Sequence, residues 1–208
     1  MINMNWKLKD QTALLIVDVQ QDFCGPEGKM AQYGIDISTI DPAVDQIERI
    51  IKVAHDQQVP ILFIRLITDP ATDSRAMKSW YAKKGFDPDE SVAICRRGTF
   101  GAEDYRIAPS PGDYVIEKQK YSAFVGTNIE LLLQQLNVEQ LVVTGVTTEC
   151  CVDSTVRDAF MKDYEVFVVA DACAAYEQDV HHMSINILDM NFATILSTEQ
   201  LLSYWGGE

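Results

Sequence analysis

Short runs of β-branched and aliphatic residues alternate along the chain with segments in which apolar residues recur at helical spacing. The runs are nearly continuous in apolar character, which is typical of parallel strands that are covered on both faces of a sheet. They predict strands at residues 13–18, 59–65, 113–117, 141–145, 165–170 and 193–196.

The clearest helical pattern follows Asp41, a good N-cap residue, with Pro42 at the first helical position. One face of this segment carries apolar residues at helical spacing: Val44, Ile47, Ile50, Ile51 and Ala54. Further helices are predicted at residues 126–136, 149–162, 179–190 and 198–204. Strands and helices in alternation predict right-handed crossovers, and therefore an α/β fold with three αβα layers around a doubly wound, mainly parallel sheet of six strands.

The stretch from residue 66 to residue 112 breaks this alternation. It is too long for a simple connection and holds at most one short helix, at residues 75–83. Long irregular insertions in compact domains often act as lids or specificity loops. Because 208 residues is the size of one large domain, we expect a single domain over residues 1–208 with such an insertion at about 66–112.

Charge and hydropathy limit the partners. The chain has 17 basic and 31 acidic residues, a formal charge of −14, which repels nucleic-acid phosphates and anionic lipid. Its longest uninterrupted apolar runs span five residues, far short of the ~20 that a membrane helix requires. The opening MINMNWKLKD does not have the pattern of a secretory signal. We therefore expect a cytoplasmic protein with a small-molecule partner, no nucleic acid and no membrane contact.

Candidate chemistry lies where the strands end, because ligands of open α/β sheets bind outside the carboxyl ends of the strands. Asp18 ends the first predicted strand, Lys118 follows the third, and Cys150 and Cys151 open the helix after the fourth. A thiol needs a helix N-terminus, a cation or a base to react at neutral pH, and all three are available at this edge. Neighbours on a helix point about 100° apart, so only one thiol can face the strand ends, and periodicity does not choose between them.

The histidines and the remaining cysteines have simpler interpretations. The chain has three histidines and five cysteines, an odd number without C-x-x-C spacing, so neither a disulfide framework nor a zinc site is expected. We expect surface or packing roles for the histidines and structural roles for three of the cysteines: His55, His181 and His182, and Cys24, Cys95 and Cys173.

Three segments carry a family resemblance: ALLIVDVQQDF at residues 13–23, GDYVIEKQKYSAFVGTNIELLL at 112–133 and LVVTGVTTECCVDSTVRDAF at 141–160. In order and spacing they resemble the signature regions of the isochorismatase-like cysteine hydrolase superfamily, and the resemblance extends from about residue 10 to 200. It implies a catalytic triad of Asp18, Lys118 and Cys151. It also implies a cis peptide bond between Val146 and Thr147, with the backbone amides of Thr147 and Cys151 as an oxyanion hole.

Departures from the family pattern reduce the number of activities to be expected. Metal-dependent nicotinamidases carry an aspartate and histidines shortly after the second strand, but this chain reads IRLITDPATDS there, so neither a metal nor another cofactor is expected. Isochorismatases proper often lack the thiol and cleave a vinyl ether, so Cys151 favours acyl chemistry on a C–N bond. The sequence is most similar to the branch acting on carbamoyl and ureido compounds such as N-carbamoylsarcosine, biuret or ureidoacrylate. Relatives are commonly dimers or tetramers, which implies a homo-oligomer.

The resemblance implies an amidohydrolase in which Asp18 deprotonates Cys151 and the thiolate forms a thioester with release of ammonia. In the doubly wound strand order 3-2-1-4-5-6, ~10 Å of sheet separates the third strand from the first, so Lys118 must lean inward to take part. The alternatives are a nicotinamidase-like or isochorismatase-like hydrolase, a catalytically silent binding protein of the same fold, and a redox sensor that uses Cys150 and Cys151.

The pocket walls are less constrained by the sequence. Aromatic residues near the strand ends and in the insertion are candidates for substrate binding: Phe23, Trp80, Tyr81 and Tyr176. Arg96 and Arg97 are candidates for contact with a substrate carboxylate.

Overall fold

The structure is a computed structural model, and it describes residues 11–206. The expectation about the opening segment, MINMNWKLKD, lies outside the described residues. The fold is a six-stranded sheet in the order β3-β2-β1-β4-β5-β6, and every pair of neighbouring strands is parallel. The predicted fold class and strand order are confirmed. The strands are β1 (Thr12–Val17), β2 (Ile61–Leu66), β3 (Tyr114–Lys118), β4 (Gln140–Val146), β5 (Glu165–Ala174) and β6 (Thr194–Leu196).

Helices cover both faces of the sheet. The α-helices are α1 (Gln21–Cys24), α2 (Lys29–Gln32), α3 (Ile40–Asp56), α4 (Arg75–Lys83), α5 (Pro88–Ser91), α6 (Ile129–Gln135), α7 (Asp153–Met161), α8 (Gln178–Asn191) and α9 (Thr198–Tyr204). A 3₁₀ helix spans Phe100–Ala102, and a π-helical turn spans Thr148–Val152. Among the described residues no helix has the length and apolar character to cross a membrane.

Alternate residues of the central strand β1 feed two separate cores. Leu14 and Ile16 pack with the apolar stripe of α3 and with α9. Leu15 and Val17 face the opposite side, where α6, α7 and α8 lie. Because β1 is buried on both faces, its sequence TALLIV is apolar almost throughout, as the parallel-strand pattern predicts.

Three helix starts differ from the prediction by more than one residue, and one of them is α6, predicted from residue 126, which begins at Ile129. The N-cap of α3 is Thr39, and Asp41 lies inside the first turn, where its carboxylate accepts hydrogen bonds from the Tyr105 hydroxyl and from Arg106. The helix predicted at residues 149–162 is interrupted: the π-helical turn comes first, and α7 begins at Asp153. A π-helical turn and an α-helix both bring residues of successive turns onto the same side. The spacing of apolar residues in the sequence therefore does not distinguish a π-helical turn from the start of an α-helix.

The insertion is tied to the end of β1 by buried polar side chains. Gln20 is fully buried, and its side-chain NH₂ group donates to the backbone carbonyls of Leu66 and Ala102, both at 3.0 Å. Its side-chain oxygen accepts from the backbone amide of Leu66 at 2.8 Å. Asp22 accepts from the backbone amide of Cys95 at 2.6 Å. The insertion therefore has a fixed position beside the carboxyl ends of the strands.

Candidate active site

Three strand ends bring a carboxylate, an ammonium group and a thiol into contact. The Nζ atom of Lys118 lies 2.6 Å from Asp18 Oδ2 and 3.3 Å from Cys151 Sγ. A third hydrogen bond, of 3.1 Å, joins Nζ to the carbonyl of Lys120. The Lys118 side chain thus spans the width of β2, which separates β3 from β1, and leans inward as the strand order requires.

Asp18 is held by its backbone in an uncommon conformation. Its φ of 53° lies in the left-handed region, which aspartate tolerates better than most residues, and its amide donates to the Ile64 carbonyl at 2.8 Å. Its Oδ2 atom is paired with Lys118. Within residues 11–206, Oδ1 is the one buried side-chain oxygen or nitrogen without a hydrogen-bond partner. This oxygen is free to accept a proton.

Close approach of two strands positions the cysteine turn. Gly145 near the end of β4 has a φ of 114°, and a Cβ atom at this position would lie 2.1 Å from the Val17 carbonyl oxygen. Only glycine lets the backbone of β4 come this close to β1. The turn that follows β4 therefore begins directly beside Asp18.

The backbone of that turn has one of the two features implied by the resemblance. The Val146–Thr147 peptide bond is cis. The Thr147 carbonyl accepts hydrogen bonds from the amides of Cys150 and Val152, at 3.1 and 3.2 Å. The amide of Cys151, between these two in the chain, donates no hydrogen bond to that carbonyl. An oxyanion hole formed by the Thr147 and Cys151 amides remains a prediction.

Burial and mutual attraction set the protonation of the three groups. Burial raises the pKa of Asp18, although Lys118 and the neighbouring Cys151 thiol oppose the rise. Burial alone would lower the pKa of Lys118, but attraction to Asp18 and Cys151 raises it. Hydrogen bonding with Cys150 and burial raise the pKa of Cys151 well above its ordinary value. The raised pKa of Cys151 keeps its thiol protonated at rest, and the 2.6 Å contact pairs the Asp18 carboxylate with the Lys118 ammonium group.

A cavity of about 190 Å³ opens at these strand ends. Its lining includes four of the predicted site residues, Phe23, Tyr81, Thr147 and Cys151. The remaining lining residues come mainly from the insertion and from the segment after β3: Met30, Leu66, Thr68, Asp69, Thr72, Asp73, Ser74, Met77, Ser91, Val92, Ile94, Gln119, Lys120, Tyr121, Glu149 and Cys150.

Two aromatic residues predicted to line the pocket lie outside it. Trp80 is 51% exposed and packs edge-on against Tyr81, with ring centroids 5.0 Å apart. Tyr176 lies behind Phe23, and its hydroxyl donates to the Phe23 carbonyl at 3.1 Å. Neither Trp80 nor Tyr176 is among the residues that line the cavity, and their role in substrate binding remains a prediction.

The two arginines considered for a substrate carboxylate are engaged elsewhere. Arg96 forms a two-pronged pair with Asp73, at 2.6 and 2.7 Å, and Arg97 pairs with Glu117 at 2.7 Å. Neither arginine is among the residues that line the cavity. The paired guanidinium groups therefore stabilise the insertion and the edge strand β3.

Sequence reasoning missed several polar lining residues. Lys120 and Tyr121 follow Lys118 directly, and Asp69 comes three residues after the end of β2. The strand-end rule applied to β2 and β3 would have indicated these positions, since the segments after both strands leave the sheet at the edge where Asp18 lies.

The remaining cysteines and histidines lie mostly away from the triad. Cys24, Cys95 and Cys173 are buried, and burial raises the pKa of Cys173 to about 12. His55 contacts Asp113 at 2.9 Å. His181 is the exception, because its Nδ1 atom lies 2.8 Å from the Thr148 hydroxyl. Across residues 11–206, no cluster of three or more histidine, cysteine or acidic side chains is arranged to hold a metal ion.

The fold and this site define an isochorismatase-like hydrolase. The chain belongs to the isochorismatase family: the family model described as the isochorismatase domain matches residues 12–200. Ureidoacrylate amidohydrolase RutB of Methylobacterium radiotolerans is 29% identical over 197 residues, which covers 88% of this chain and 75% of the relative.

Solved structures agree with this assignment. N-carbamoylsarcosine amidase from Thermoplasma acidophilum superposes with a TM-score of 0.74 at 25% identity, over 91% of this chain and 97% of that one. A cysteine hydrolase from Pseudomonas syringae pv. phaseolicola gives a TM-score of 0.83 at 23% identity, over 97% and 96% of the two chains. The predicted family and enzyme class are thereby confirmed.

Proposed function

We propose that this protein is a cysteine-dependent hydrolase that cleaves a C–N bond of a small amide or ureido compound through a thioester and releases ammonia. The observation that carries the proposal is the position of Lys118 Nζ, in contact with both Asp18 Oδ2 and Cys151 Sγ. Asp18 is the general base, Cys151 the nucleophile, and Lys118 the cation that stabilises negative charge on sulfur and on the substrate oxygen.

The first half-reaction moves one proton and one acyl group. The Cys151 thiol gives its proton to Asp18, and the sulfur attacks the carbonyl carbon to form a tetrahedral oxyanion. This oxygen accepts hydrogen bonds from the amides of Thr147 and Cys151, an arrangement in which loss of one donor typically costs a factor of about 10² to 10³ in rate. Asp18 returns the proton to the nitrogen as the C–N bond breaks, so that ammonia leaves and the acyl group stays on sulfur.

The second half-reaction restores the enzyme. Asp18 takes a proton from water, and the hydroxide attacks the thioester carbon. The C–S bond breaks, and the sulfur regains a proton from Asp18. With a ureido substrate, the covalent intermediate is a thiocarbamate and the product is a carbamic acid, which then loses carbon dioxide.

The cavity and the relatives point to the same class of substrate. A volume of about 190 Å³ suits a small molecule rather than a peptide chain. The relatives named above act, by their names, on ureidoacrylate and N-carbamoylsarcosine, which both carry a carbamoyl group. We therefore propose carbamoyl and ureido compounds as the first substrates to test.

An ammonia-release screen over carbamoyl, ureido and simple amide compounds tests the proposal. The wild-type protein is expected to release ammonia, and Cys151→Ser to lose at least about 10³-fold in kcat because the hydroxyl is a far weaker nucleophile. Cys150→Ser is the matched control for loss of a thiol, and is expected to keep measurable turnover.

Mass spectrometry of the wild-type protein quenched during turnover should find the acyl adduct on Cys151. Activity that survives Cys151→Ser would contradict the nucleophile assignment. Activity that is abolished by a chelator and restored by a divalent metal would favour the nicotinamidase-like alternative.

A further inference from the structure

We propose that His181 is a positioning residue for this reaction, holding Thr148 and through it the turn that carries the Thr147 and Cys151 amides. The inference rests on the proposed function, and it adds a residue that the triad does not include. It starts from one contact between distant parts of the chain: His181 Nδ1 lies 2.8 Å from Thr148 Oγ1.

Thr148 is placed where a small displacement affects the reacting atoms. It follows Thr147 directly, it opens the π-helical turn that contains Cys151, and its side chain is completely buried. Within residues 11–206, its hydroxyl has no hydrogen-bond partner besides His181. Loss of the imidazole would leave a buried hydroxyl unsatisfied, and the turn would shift to relieve it.

His181 can hold Thr148 because its own helix is fixed. It lies in the first turn of α8, and its amide donates to the Glu177 carbonyl at 3.0 Å. The same helix is anchored in the core by Leu188. Burial, with repulsion from His182, lowers the pKa of His181, so the imidazole is neutral and pairs with a hydroxyl in either tautomer.

His181 acts through Thr148 and does not touch the reacting atoms. It is absent from the lining of the substrate cavity and borders a separate cavity of about 220 Å³, lined also by Thr39, Gln178 and His182. Removing its contact should therefore displace the oxyanion donors while the cavity walls that the insertion supplies stay in place. A misplacement of about 1 Å at such a site can cost about 10²-fold in rate.

Three variants test the inference. His181→Leu removes the ring nitrogen, and we expect kcat to fall about 10-fold or more with KM within about twofold of wild type. His181→Asn places a polar atom where Nδ1 lies, so kcat should return to within about threefold of wild type. The exposed neighbour His182, whose ring lies 5.6 Å from that of His181, supplies the control His182→Leu, with wild-type kcat and KM.

A double-mutant cycle separates positioning from general destabilisation. Thr148→Val removes the hydroxyl and keeps the shape, and once the contact is gone a second change should add little to the loss. Equal kcat in His181→Leu and wild type overturns the inference. Fully additive losses, or an Asn variant as impaired as the Leu variant, overturn it as well.

A second measurement does not depend on turnover. The rate at which iodoacetamide alkylates Cys151, mapped by tandem mass spectrometry to distinguish Cys150, should change at least about threefold in His181→Leu and remain unchanged in His182→Leu. Equal rates in all proteins overturn the positioning role. Failure of the proposed function is recognised separately, by turnover that persists in Cys151→Ser.

Discussion

Lys118 is the residue that links the charged groups of the buried site. It is among the largest side chains that the described part of the chain buries fully, although lysine is among the residues least often buried. Its ammonium group is balanced by the Asp18 carboxylate, so the site is electrically neutral when Cys151 is protonated. Transfer of the thiol proton to Asp18 keeps the total charge at zero, whereas loss of that proton to water would not.

Removing the ammonium group should destabilise the fold. We expect Lys118→Met to lower the free energy of unfolding at pH 7 by about 3–5 kcal/mol, because it leaves an unpaired carboxylate in the interior. The pKa of Asp18, already raised by burial, rises further without Lys118. The folded state then favours the protonated carboxyl, so the deficit should shrink as pH falls through that pKa.

Urea unfolding at pH 7 and pH 5 measures this effect. Lys120→Met is the matched control, because Lys120 is only partly buried, and it should stay within about 0.5 kcal/mol of wild type. A Lys118→Met deficit that grows towards pH 5 would contradict the ion-pair explanation.

The acid side of the rate profile should report Asp18. Because burial raises the pKa of Asp18 above the ordinary 3.8, kcat/KM should fall with decreasing pH around a midpoint above that value. On the alkaline side, the raised pKa of Lys118 keeps the ammonium group charged beyond its ordinary 10.5. Asp18→Asn should lose about 10²- to 10⁴-fold in kcat. An acid limb that disappears in a histidine variant would instead identify an imidazole base.

At the scale of elements, the strands were predictable and the turns between them less so. Apolar runs marked all six strands, most completely β1 and β4, because a strand covered on both faces has few polar positions. The π-helical turn at Thr148–Val152 was not predictable, because its hydrogen bonds depend on the backbone of Thr147 rather than on residue spacing. For the same reason, the choice between Cys150 and Cys151 needed the family resemblance.

The insertion should depend on Gln20 for its position. Gln20→Leu leaves the amide and carbonyl of Leu66 and the carbonyl of Ala102 without their partner, and should cost about 2 kcal/mol or more in unfolding free energy. Hydrogen exchange should accelerate at residues 95–104, and KM should rise because the insertion lines the cavity.

Gln32→Leu is the control, since its side-chain amide makes an exposed hydrogen bond to the Glu27 carbonyl. Unchanged exchange at residues 95–104 in Gln20→Leu would show that the insertion is held by other contacts.

At the scale of the whole molecule, the single domain remains a prediction that unfolding can test. Two of the three tryptophans report on different regions, Trp80 in the insertion and Trp205 in the core beside α9. In variants that keep only one of them, both fluorescence transitions in urea should share the same midpoint, because the insertion is tied to β1. An earlier transition for Trp80 would indicate a separate unit.

The placement of the triad was accessible from the sequence, and the pocket walls were not. Parallel strands leave a sheet at a common edge, so Asp18, Lys118 and the cysteine pair had to lie near one another. The cavity lining depends on how the insertion folds back, and its short turns carry no periodic signal. Trp80 illustrates this. Its aromatic character suggested a place in the cavity wall, but in the orientation that α4 adopts Trp80 faces solvent and Tyr81 faces the cavity. The homo-oligomer remains a prediction.

The bare Oδ1 atom of Asp18 has a consequence for selectivity. Before the thiol proton is transferred, an incoming amide or urea can donate an N–H to this oxygen, whereas an ester of the same shape brings only another acceptor. The complete burial of Asp18 enlarges that contrast, because bulk solvent does not reach the carboxylate to compensate the mismatch. Discrimination between nitrogen and oxygen leaving groups would then reside in one carboxylate oxygen.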